Sequence, residues 1–89
     1  MFFYTYVLKC SKFQEKEVLY IGFTNNLTTR LARHRSGKVT ATREYSKIEL
    51  VYYEACRTKQ DAIDREKSLK TGFGRAFIKN RLKSDISCR

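Results

Sequence analysis

Two apolar runs at the start of the chain predict a pair of β-strands. Residues 2–10 are rich in aromatic and β-branched side chains, and both alternating sets of positions are largely apolar. Because successive side chains of a strand point to opposite faces, this pattern predicts a central strand that is covered on both sides. A polar, lysine-bearing stretch at residues 11–17 separates it from a second apolar run at residues 18–23. The spacing predicts an antiparallel hairpin with a basic tip.

A helical period follows the hairpin. After a pair of asparagines, which favour a helix N-cap, residues 27–36 place apolar side chains on one narrow stripe, and Gly37 closes the helix. Arg30 and His34 lie four positions apart along the edge of that stripe. Such an arginine either extends its charge to solvent or is held half-buried in a pocket on the sheet, and the sequence leaves both alternatives open.

The middle of the chain passes from a polar to an apolar stretch. Residues 38–47 are polar and basic, with Lys38, Arg43 and Lys47 among them. They predict a loop that is suited either to phosphate contacts or to plain solvation. Residues 48–56 return to aliphatic and aromatic side chains and predict the third strand.

The next helix carries a charged residue at an unexpected place. Thr58, with an acidic residue three positions later, predicts a helix start, and the helical period runs over residues 59–71. On that period Glu66 falls within the same apolar stripe as Leu69. Charged residues are almost never fully buried without a partner. Glu66 is therefore either in a salt bridge, for which Arg30 is a candidate partner, or a metal ligand.

Two glycines precede the last predicted helix. Gly72 and Gly74 are expected to break the chain, because glycine disfavours a helix interior. A helix at residues 75–83 then turns Phe77, Ile78 and Leu82 inward.

The predicted elements together define a fold class. Their order is ββαβαα, which indicates an α+β fold with a three-stranded antiparallel sheet flanked by three helices. One domain at residues 1–83 accounts for all of them, and residues 84–89 form a polar tail that is expected to be frayed.

Composition adds a strong positive charge to this picture. The chain has 89 residues, 42% of them hydrophobic, which predicts a folded globule rather than disorder. Its 19 Lys and Arg residues outnumber 9 Asp and Glu residues, giving a net charge of +10. Such a charge favours a polyanionic partner, with a merely soluble basic protein as the plain alternative. An anionic membrane surface is less favoured, since no long basic amphipathic helix is predicted.

The remaining composition excludes several kinds of site. Cys10, Cys56 and Cys88 lie far apart with no CxxC pair, which predicts reduced thiols, a cytoplasmic setting and no disulfide-linked partner. A single histidine argues against a zinc site. No run approaches the roughly 20 apolar residues of a membrane-spanning helix, and no signal-peptide pattern follows Met1.

The second strand contains two residues that are unusual for a plain core strand. Gly22 provides no side chain for packing, and a strand glycine often marks the close approach of another backbone or a ligand. Tyr20 carries a hydroxyl group that needs a partner if it is buried. A tyrosine strand that leads through a short polar turn into an arginine-bearing helix is compatible with the floor of a phosphate site, and also with an ordinary α+β core.

These residues resemble the GIY-YIG endonuclease domain, in particular its small stand-alone members related to the nuclease domain of the bacterial excinuclease C subunit. Tyr20-Ile21-Gly22 matches the second half of the family's motif, whereas Tyr4-Thr5-Tyr6 matches only the final tyrosine of the first half. The family's arginine, eight positions after the glycine, corresponds to Arg30. Its frequent histidine or tyrosine, four positions further on, corresponds to His34, and its metal-binding glutamate corresponds to Glu66.

The resemblance extends over residues 3–82 and implies metal-assisted hydrolysis of phosphodiester bonds. It implies Mg²⁺ or Mn²⁺ held by Glu66, with Arg30 stabilising charge in the transition state. A tyrosine, Tyr6 or Tyr20, would position or deprotonate the attacking water. His34 would act as a proton carrier or as a phosphate donor.

The implied partner is DNA, in repair or at a particular DNA structure, while RNA stays open. An asparagine of the family corresponds to Asn80. The alternative of a different class is a nucleic-acid clamp on the same fold that does not cleave, and a third is a non-catalytic subunit of a larger repair complex. Phosphate contacts are assigned to basic side chains along the chain: Lys38, Arg43, Lys47, Lys67, Lys70, Arg75 and Lys79.

Overall fold

A computed structural model of the protein describes residues 1–86 and contains one three-stranded antiparallel sheet. Its strands are β1 (Phe3–Ser11), β2 (Val18–Thr24) and β3 (Lys47–Cys56), in the spatial order β2-β1-β3. β1 pairs antiparallel with both neighbours, and its residues 5–10 are all buried. The predicted hairpin and the doubly covered central strand are therefore confirmed.

Residues 1–86 also contain four helices: α1 (Leu27–Arg35), α2 (Lys59–Leu69), α3 (Gly72–Arg81) and α4 (Lys83–Ile86). The first three confirm the predicted α+β architecture. The single-turn α4 includes residues 84–86, which were expected to belong to a frayed tail. The rest of that predicted tail, Ser87, Cys88 and Arg89, lies outside the described residues. Among residues 1–86, no helix is long and apolar enough to cross a bilayer.

Polar side chains cap the three longer helices at their N-termini. Asn26 accepts a hydrogen bond from the Thr29 amide at 3.1 Å, and Thr58 accepts one from the Asp61 amide at 3.2 Å. Both satisfy amides that the helix itself leaves unpaired. At the other end of α1, Gly37 has a φ of 77° and the Lys38 amide bonds back to the Arg33 carbonyl at 3.0 Å, as in a Schellman motif.

The start of α3 differs from the prediction. Gly72 and Gly74 do not break the chain but lie within the first turn of the helix, which Thr71 caps by accepting from the Gly74 amide at 3.1 Å. A Cβ at Gly74 would collide with the backbone of Ser68 and Leu69 at the end of α2. Glycine is therefore required at this position because two helices meet backbone to backbone, and this tertiary contact outweighs its poor helix propensity.

Two cores lie on opposite faces of the sheet. The α1 face buries Tyr6, Leu8, Cys10 and Ile48 beneath α1. The face beneath α2 and α3, here the α2–α3 face, buries another set: Val7, Ile21, Leu69 and Ile78. The alternation of β1 residues between these clusters follows directly from the two-residue period of a strand.

On the α2–α3 face, one residue that was predicted to point inward is partly exposed. Ile78 is fully buried, as expected, but Phe77 is 38% exposed. Its ring lies against Tyr52 and under the guanidinium of Arg65, whose Cζ is 4.9 Å from the ring centroid. Gly74 and Ile78, four residues apart, form the buried side of α3, and Phe77 lies about 100° around the helix from Ile78, at the edge of the interface.

Candidate active site on the α1 face

Tyr6 lies at the centre of a polar cluster inside the α1 face. Its side chain is 1% exposed, yet its hydroxyl oxygen is 2.8 Å from His34 Nε2 and accepts a hydrogen bond from Arg30 Nε at 3.2 Å. β1 supplies the tyrosine, and the i, i+4 spacing on α1 directs Arg30 and His34 toward the same hydroxyl. Of the two alternatives that the sequence leaves open for Arg30, the structure shows the one in which it is held half-buried against the sheet.

Gly22 makes room for this tyrosine. It pairs directly with Tyr6 in the sheet register, and a Cβ at position 22 would lie 2.5 Å from both Cζ and Oη of the Tyr6 ring. The close approach predicted from the glycine is therefore real. The approaching group is a side chain of this protein rather than a backbone or a ligand.

Tyr20 completes the aromatic part of the cluster. Its ring centroid is 6.3 Å from that of Tyr6 and 5.2 Å from that of His34, in tilted and edge-on contacts. Unlike Tyr6, Tyr20 is only partly buried. Its hydroxyl also contributes to the electrostatic environment of Arg30. The β2 segment around Tyr20 borders a groove beside α2 and α3, on the side to which Leu19 and Ile21 point.

His34 is held from both sides of its ring and is 1% exposed. Opposite the Tyr6 contact, its Nδ1 lies 2.7 Å from the hydroxyl oxygen of Thr42, which is itself fully buried. Burial lowers the pKa of His34, and the positive charge of Arg30 lowers it further. The imidazole is therefore neutral near pH 7, and it is enclosed by protein, which does not favour direct contact with a phosphate.

Sequence analysis missed Thr42. Residues 38–47 were predicted to be an exposed basic loop, but Thr42 turns inward, and Lys47 belongs to β3. Lys38 and Arg43 are exposed as expected. No local signal distinguishes Thr42 from the other hydroxyl residues of the segment, because its burial depends on how the loop closes over His34.

The ionisation of the central groups follows from their burial. Burial raises the pKa of Tyr6, the hydrogen bond from Arg30 opposes that rise, and the negative charge of Glu66 adds to it. For Arg30, the hydrogen bond to Tyr6 raises the pKa while burial works against it. The resting cluster is therefore a neutral tyrosine beside a permanently charged arginine, and Glu66 is close enough for its charge to influence Tyr6.

Glu66 itself lies at the border of the cluster. Its side chain is 21% exposed and its Oε2 accepts a hydrogen bond from Lys70 Nζ at 3.0 Å. Among residues 1–86 no ion pair joins Glu66 to Arg30, so the suggested salt bridge between them is wrong. The i, i+4 geometry of α2 brings Lys70 closer, and this spacing was a usable signal in the sequence.

The basic side chains proposed for phosphate contacts fall into separate groups. Lys70, Arg75 and Lys79 line the groove that the β2 segment around Tyr20 borders. Three other candidates, Lys38, Arg43 and Lys47, are not among the residues that line it. The last basic candidate, Lys67, is exposed on α2, and Asn80, the one uncharged residue proposed to contact nucleic acid, is exposed on α3.

The donor set limits which metal the site would suit. Within residues 1–86 no group of three or more His, Cys, Asp or Glu side chains is placed to share an ion. Oε1 of Glu66 has no hydrogen-bond partner in the same part of the chain. A single carboxylate with one free oxygen fits Mg²⁺ or Mn²⁺, which retain water and phosphate ligands, and does not fit a structural zinc site.

Comparison with known proteins agrees with this arrangement. The family model of the GIY-YIG catalytic domain matches residues 2–82. A UPF0213 protein of Bacillus pumilus is 44% identical over 69 residues, covering 76% of this chain and 66% of the relative. UPF0213 protein CPE1444 of Clostridium perfringens is 40% identical over 68 residues, covering 75% and 69% respectively.

A third relative matches almost the whole chain. The UPF0213 protein of Pediococcus pentosaceus is 34% identical over 86 residues, covering 96% of this chain and 86% of its own. For the Bacillus relative, by contrast, the match spans about two thirds of its length. No solved structure matches the chain significantly. The family match over residues 2–82 shows that the chain belongs to the GIY-YIG catalytic domain family, a nuclease superfamily, among relatives named UPF0213.

Proposed function

We propose that the protein is a divalent-metal-dependent endonuclease that hydrolyses phosphodiester bonds in DNA. The observation that carries the proposal is the cluster on the α1 face, where Tyr6, Tyr20, Arg30 and His34 contact one another. Apolar side chains at this place would need no hydrogen-bond partners, whereas buried polar groups cost free energy unless each one is hydrogen-bonded. A fully satisfied polar network that reaches the surface at a partly exposed arginine is typical of a site maintained for chemistry.

Arg30 stabilises negative charge in this mechanism. Its Nε is engaged by Tyr6, and the guanidinium has further N–H groups that remain available to a phosphate. Held by this bond, the side chain is oriented before substrate binds. Preorganised charge of this kind is among the largest contributions to stabilising a transition state.

Tyr20 is the better placed of the two tyrosines to orient the attacking water. The Tyr6 hydroxyl already has two protein partners and is almost fully enclosed. Tyr20 is partly exposed and lies next to the Arg30 cation. Its hydroxyl oxygen has lone pairs that can accept a hydrogen bond from water and so orient it. Tyr6 then serves to hold Arg30 and His34 in place.

Glu66 would hold Mg²⁺ or Mn²⁺ through its free oxygen. Such an ion supplies Lewis-acid stabilisation of the phosphate when it is bound. Lys70 neutralises part of the Glu66 charge in the absence of metal, and it also lines the groove with Arg75 and Lys79. These three cations would bind the DNA backbone. Duplex binding should therefore weaken with salt, with a slope of about −0.9 per neutralised phosphate.

The test is cleavage by purified protein of single-stranded, duplex and branched DNA, with an RNA strand as a further substrate. Each reaction is run with Mg²⁺, with Mn²⁺ and with chelator. We expect metal-dependent cleavage of DNA that Glu66→Gln abolishes while binding persists. The matched control is Glu54→Gln, which removes a comparably exposed carboxylate whose two oxygens are already bonded to Arg65 and Tyr52.

One observation favours a second candidate function. The ion pair between Glu66 and Lys70 gives the carboxylate a structural partner, so a metal is not needed to explain its place on α2. On this view the protein is a nucleic-acid clamp that binds through the same groove without cleaving. Firm, salt-dependent binding with no cleavage under any metal condition would establish the clamp and refute the nuclease.

A further inference from the structure

A continuous line of three hydrogen bonds runs through the interior of the α1 face. It begins at Arg30 Nε, passes through the Tyr6 hydroxyl and both ring nitrogens of His34, and ends at Thr42 Oγ1. The three distances are 3.2, 2.8 and 2.7 Å. Tyr6, His34 and Thr42 are each at most 1% exposed, so water does not compete for these bonds.

The chemistry of the groups favours one direction for each bond in this line. A guanidinium can only donate, so the Tyr6 oxygen accepts from Arg30. If His34 Nε2 also donated to that oxygen, the single proton of the buried Tyr6 hydroxyl would have no acceptor among the described residues. In the opposite order, the Thr42 hydroxyl proton is the one without an acceptor among these residues. A phenol is a better donor than an aliphatic alcohol, and the hydrogen bond from Arg30 to the Tyr6 oxygen strengthens that donation. Tyr6 therefore donates to Nε2, and a neutral imidazole then carries its own proton on Nδ1, directed at Thr42.

We propose that Thr42 is a positioning residue for the reaction at this site. By accepting a hydrogen bond from Nδ1–H, Thr42 holds His34 in the tautomer whose unprotonated Nε2 accepts a hydrogen bond from the Tyr6 hydroxyl. The Tyr6 oxygen then keeps its lone pairs for Arg30 and so fixes the guanidinium. The role in catalysis rests on the proposed nuclease function, whereas the hydrogen-bond order does not.

The fold holds the Thr42 oxygen at a fixed place. The Thr42 amide donates to the Val39 carbonyl, and the Thr42 carbonyl accepts from the Tyr45 amide, both at 3.1 Å. Tyr45 in turn packs against the core cluster of the α1 face. These contacts form two successive tight turns, and Thr42 lies at the point where they join. The hydroxyl is thus preorganised by backbone bonds rather than by the imidazole it contacts.

The experiment uses the single histidine of the chain as a reporter. Full-length protein labelled with ¹⁵N-histidine is studied by long-range ¹H–¹⁵N correlation near neutral pH, which distinguishes protonated from unprotonated ring nitrogens. We expect a protonated Nδ1 and an unprotonated Nε2 in the wild type. Thr42→Val, which keeps the shape but removes the acceptor, should shift the population toward protonated Nε2 or a mixture, and Thr42→Ser should restore the wild-type pattern.

Cleavage kinetics on the same proteins test the consequence for catalysis. We expect Thr42→Val to lower kcat by about 10- to 100-fold with little change in KM, by analogy with loss of the outer partner of a metal-bound histidine. Thr42→Ser should recover most of this loss. Thr42→Ala serves as a second variant if the valine protein does not fold.

The possible results test the tautomer of His34, the catalytic role of Thr42 and the proposed nuclease function separately. A wild-type protein with protonated Nε2, or a tautomer that does not respond to loss of the Thr42 hydroxyl, would overturn the assignment. A kcat unaffected by Thr42→Val would overturn its catalytic role. If the tautomer responds as expected but no variant, including the wild type, cleaves any substrate, the proposed nuclease function fails and the hydrogen-bond order stands.

Discussion

The two faces of the sheet are buried to a similar degree but by different means. On the α2–α3 face, four aliphatic side chains form the buried cluster, and their packing alone explains it. On the α1 face, two aliphatic residues and a cysteine share the space with Tyr6. Around that tyrosine, His34 and Thr42 are buried with every polar atom satisfied. The same strand, β1, supplies residues to both faces from alternate positions.

The difference shows which face is specialised. Apolar packing stabilises without regard to direction, whereas a buried hydrogen-bond network stabilises only when every member is present and oriented. A protein of this size gains little stability when half of its core depends on a buried hydrogen-bond network rather than on apolar packing. We infer that the α2–α3 face holds the domain together, and the α1 face holds a set of side chains in a defined geometry.

After the loss of cleavage expected for Glu66→Gln, the largest expected effect is on the rate of cleavage, at Tyr20. Tyr20→Phe should lower the rate by about 10²- to 10⁴-fold, the usual loss when a general base is removed. Stability should change little because Tyr20 is only partly buried. The measurement is single-turnover cleavage together with chemical denaturation of the same protein.

Tyr6→Phe is the matched control for Tyr20. It removes a buried hydroxyl with two partners, so it should cost more stability and less rate than Tyr20→Phe. A larger rate loss at Tyr6 would transfer the water-orienting role to that tyrosine. Equal small losses at both would remove tyrosine from proton transfer altogether.

The opposite result is expected on the α2–α3 face. Leu69→Ala leaves a cavity at a fully buried site and should lower the free energy of unfolding by about 2–5 kcal/mol. Cleavage per folded molecule should fall far less than in Tyr20→Phe, because Leu69 packs in the α2–α3 core and has no proposed role toward the phosphate, although it shares α2 with Glu66. Urea denaturation and activity measured at a temperature where the variant is folded check both statements. A folded but inactive variant would show that the two faces are coupled.

Local signals in the sequence were sufficient for most of the architecture. The Asn26 and Thr58 caps, Gly37 after α1 and the dense apolar pattern of β1 each determine structure within a few residues. The start of α3 could not be predicted in this way. Gly74 is placed in a helix by its contact with the backbone of α2, which is distant information that helix propensity contradicts.

The candidate site was predictable to a similar extent. The pairing of Arg30 with His34 follows from their spacing on α1, and the motif pointed to both tyrosines and to Gly22. What could not be predicted was the partner on the far side of His34, because Thr42 is buried only through the closure of an irregular loop. The ion pair between Glu66 and Lys70 could be predicted from their i, i+4 spacing on α2, which brings Lys70 closer than Arg30.

A smaller effect is expected from the pH dependence of stability. The pKa of His34 is lowered in the folded protein, first by burial and then by Arg30, whereas an unfolded histidine titrates near 6.5. Between these values the unfolded state binds more protons, so stability falls as pH decreases below about 6.5, by at most about 1.4 kcal/mol per pH unit. Denaturation curves between pH 7.5 and roughly 5 measure this slope.

The single histidine makes that slope easy to assign. Carboxylates titrate lower and thiols higher, so His34→Gln should flatten the curve over this range. The groups that face the ring are Arg30 on its own helix, Tyr6 from β1, Tyr20 from β2 and the loop hydroxyl of Thr42. A wild-type curve that is already flat would mean that the α1 face accommodates an imidazolium and is less constrained than the network implies.

The smallest expected effect concerns the stability of Glu66 variants. Glu54 and Glu66 have similarly exposed side chains, 25% and 21%, but different partners. Glu54 receives two hydrogen bonds from Arg65 and one from Tyr52. Burial raises the pKa of Glu54, but these bonds and the charge of Arg65 outweigh it, and the pKa lies below its usual value. Glu66 receives one bond, from the largely exposed Lys70.

Glu54→Gln should therefore lower the free energy of unfolding by about 1–2 kcal/mol, since it weakens several charge-assisted bonds at a partly exposed site. Glu66→Gln should cost about 0.5 kcal/mol or less, the usual value of an exposed i, i+4 ion pair. Urea denaturation in chelator, with both variants and wild type measured together, decides between them. If Glu66→Gln is as damaging as Glu54→Gln, the carboxylate is structural and the metal assignment loses its basis. A stable Glu66→Gln protein that binds DNA without cleaving it would identify a residue that contributes to the reaction and little to the fold.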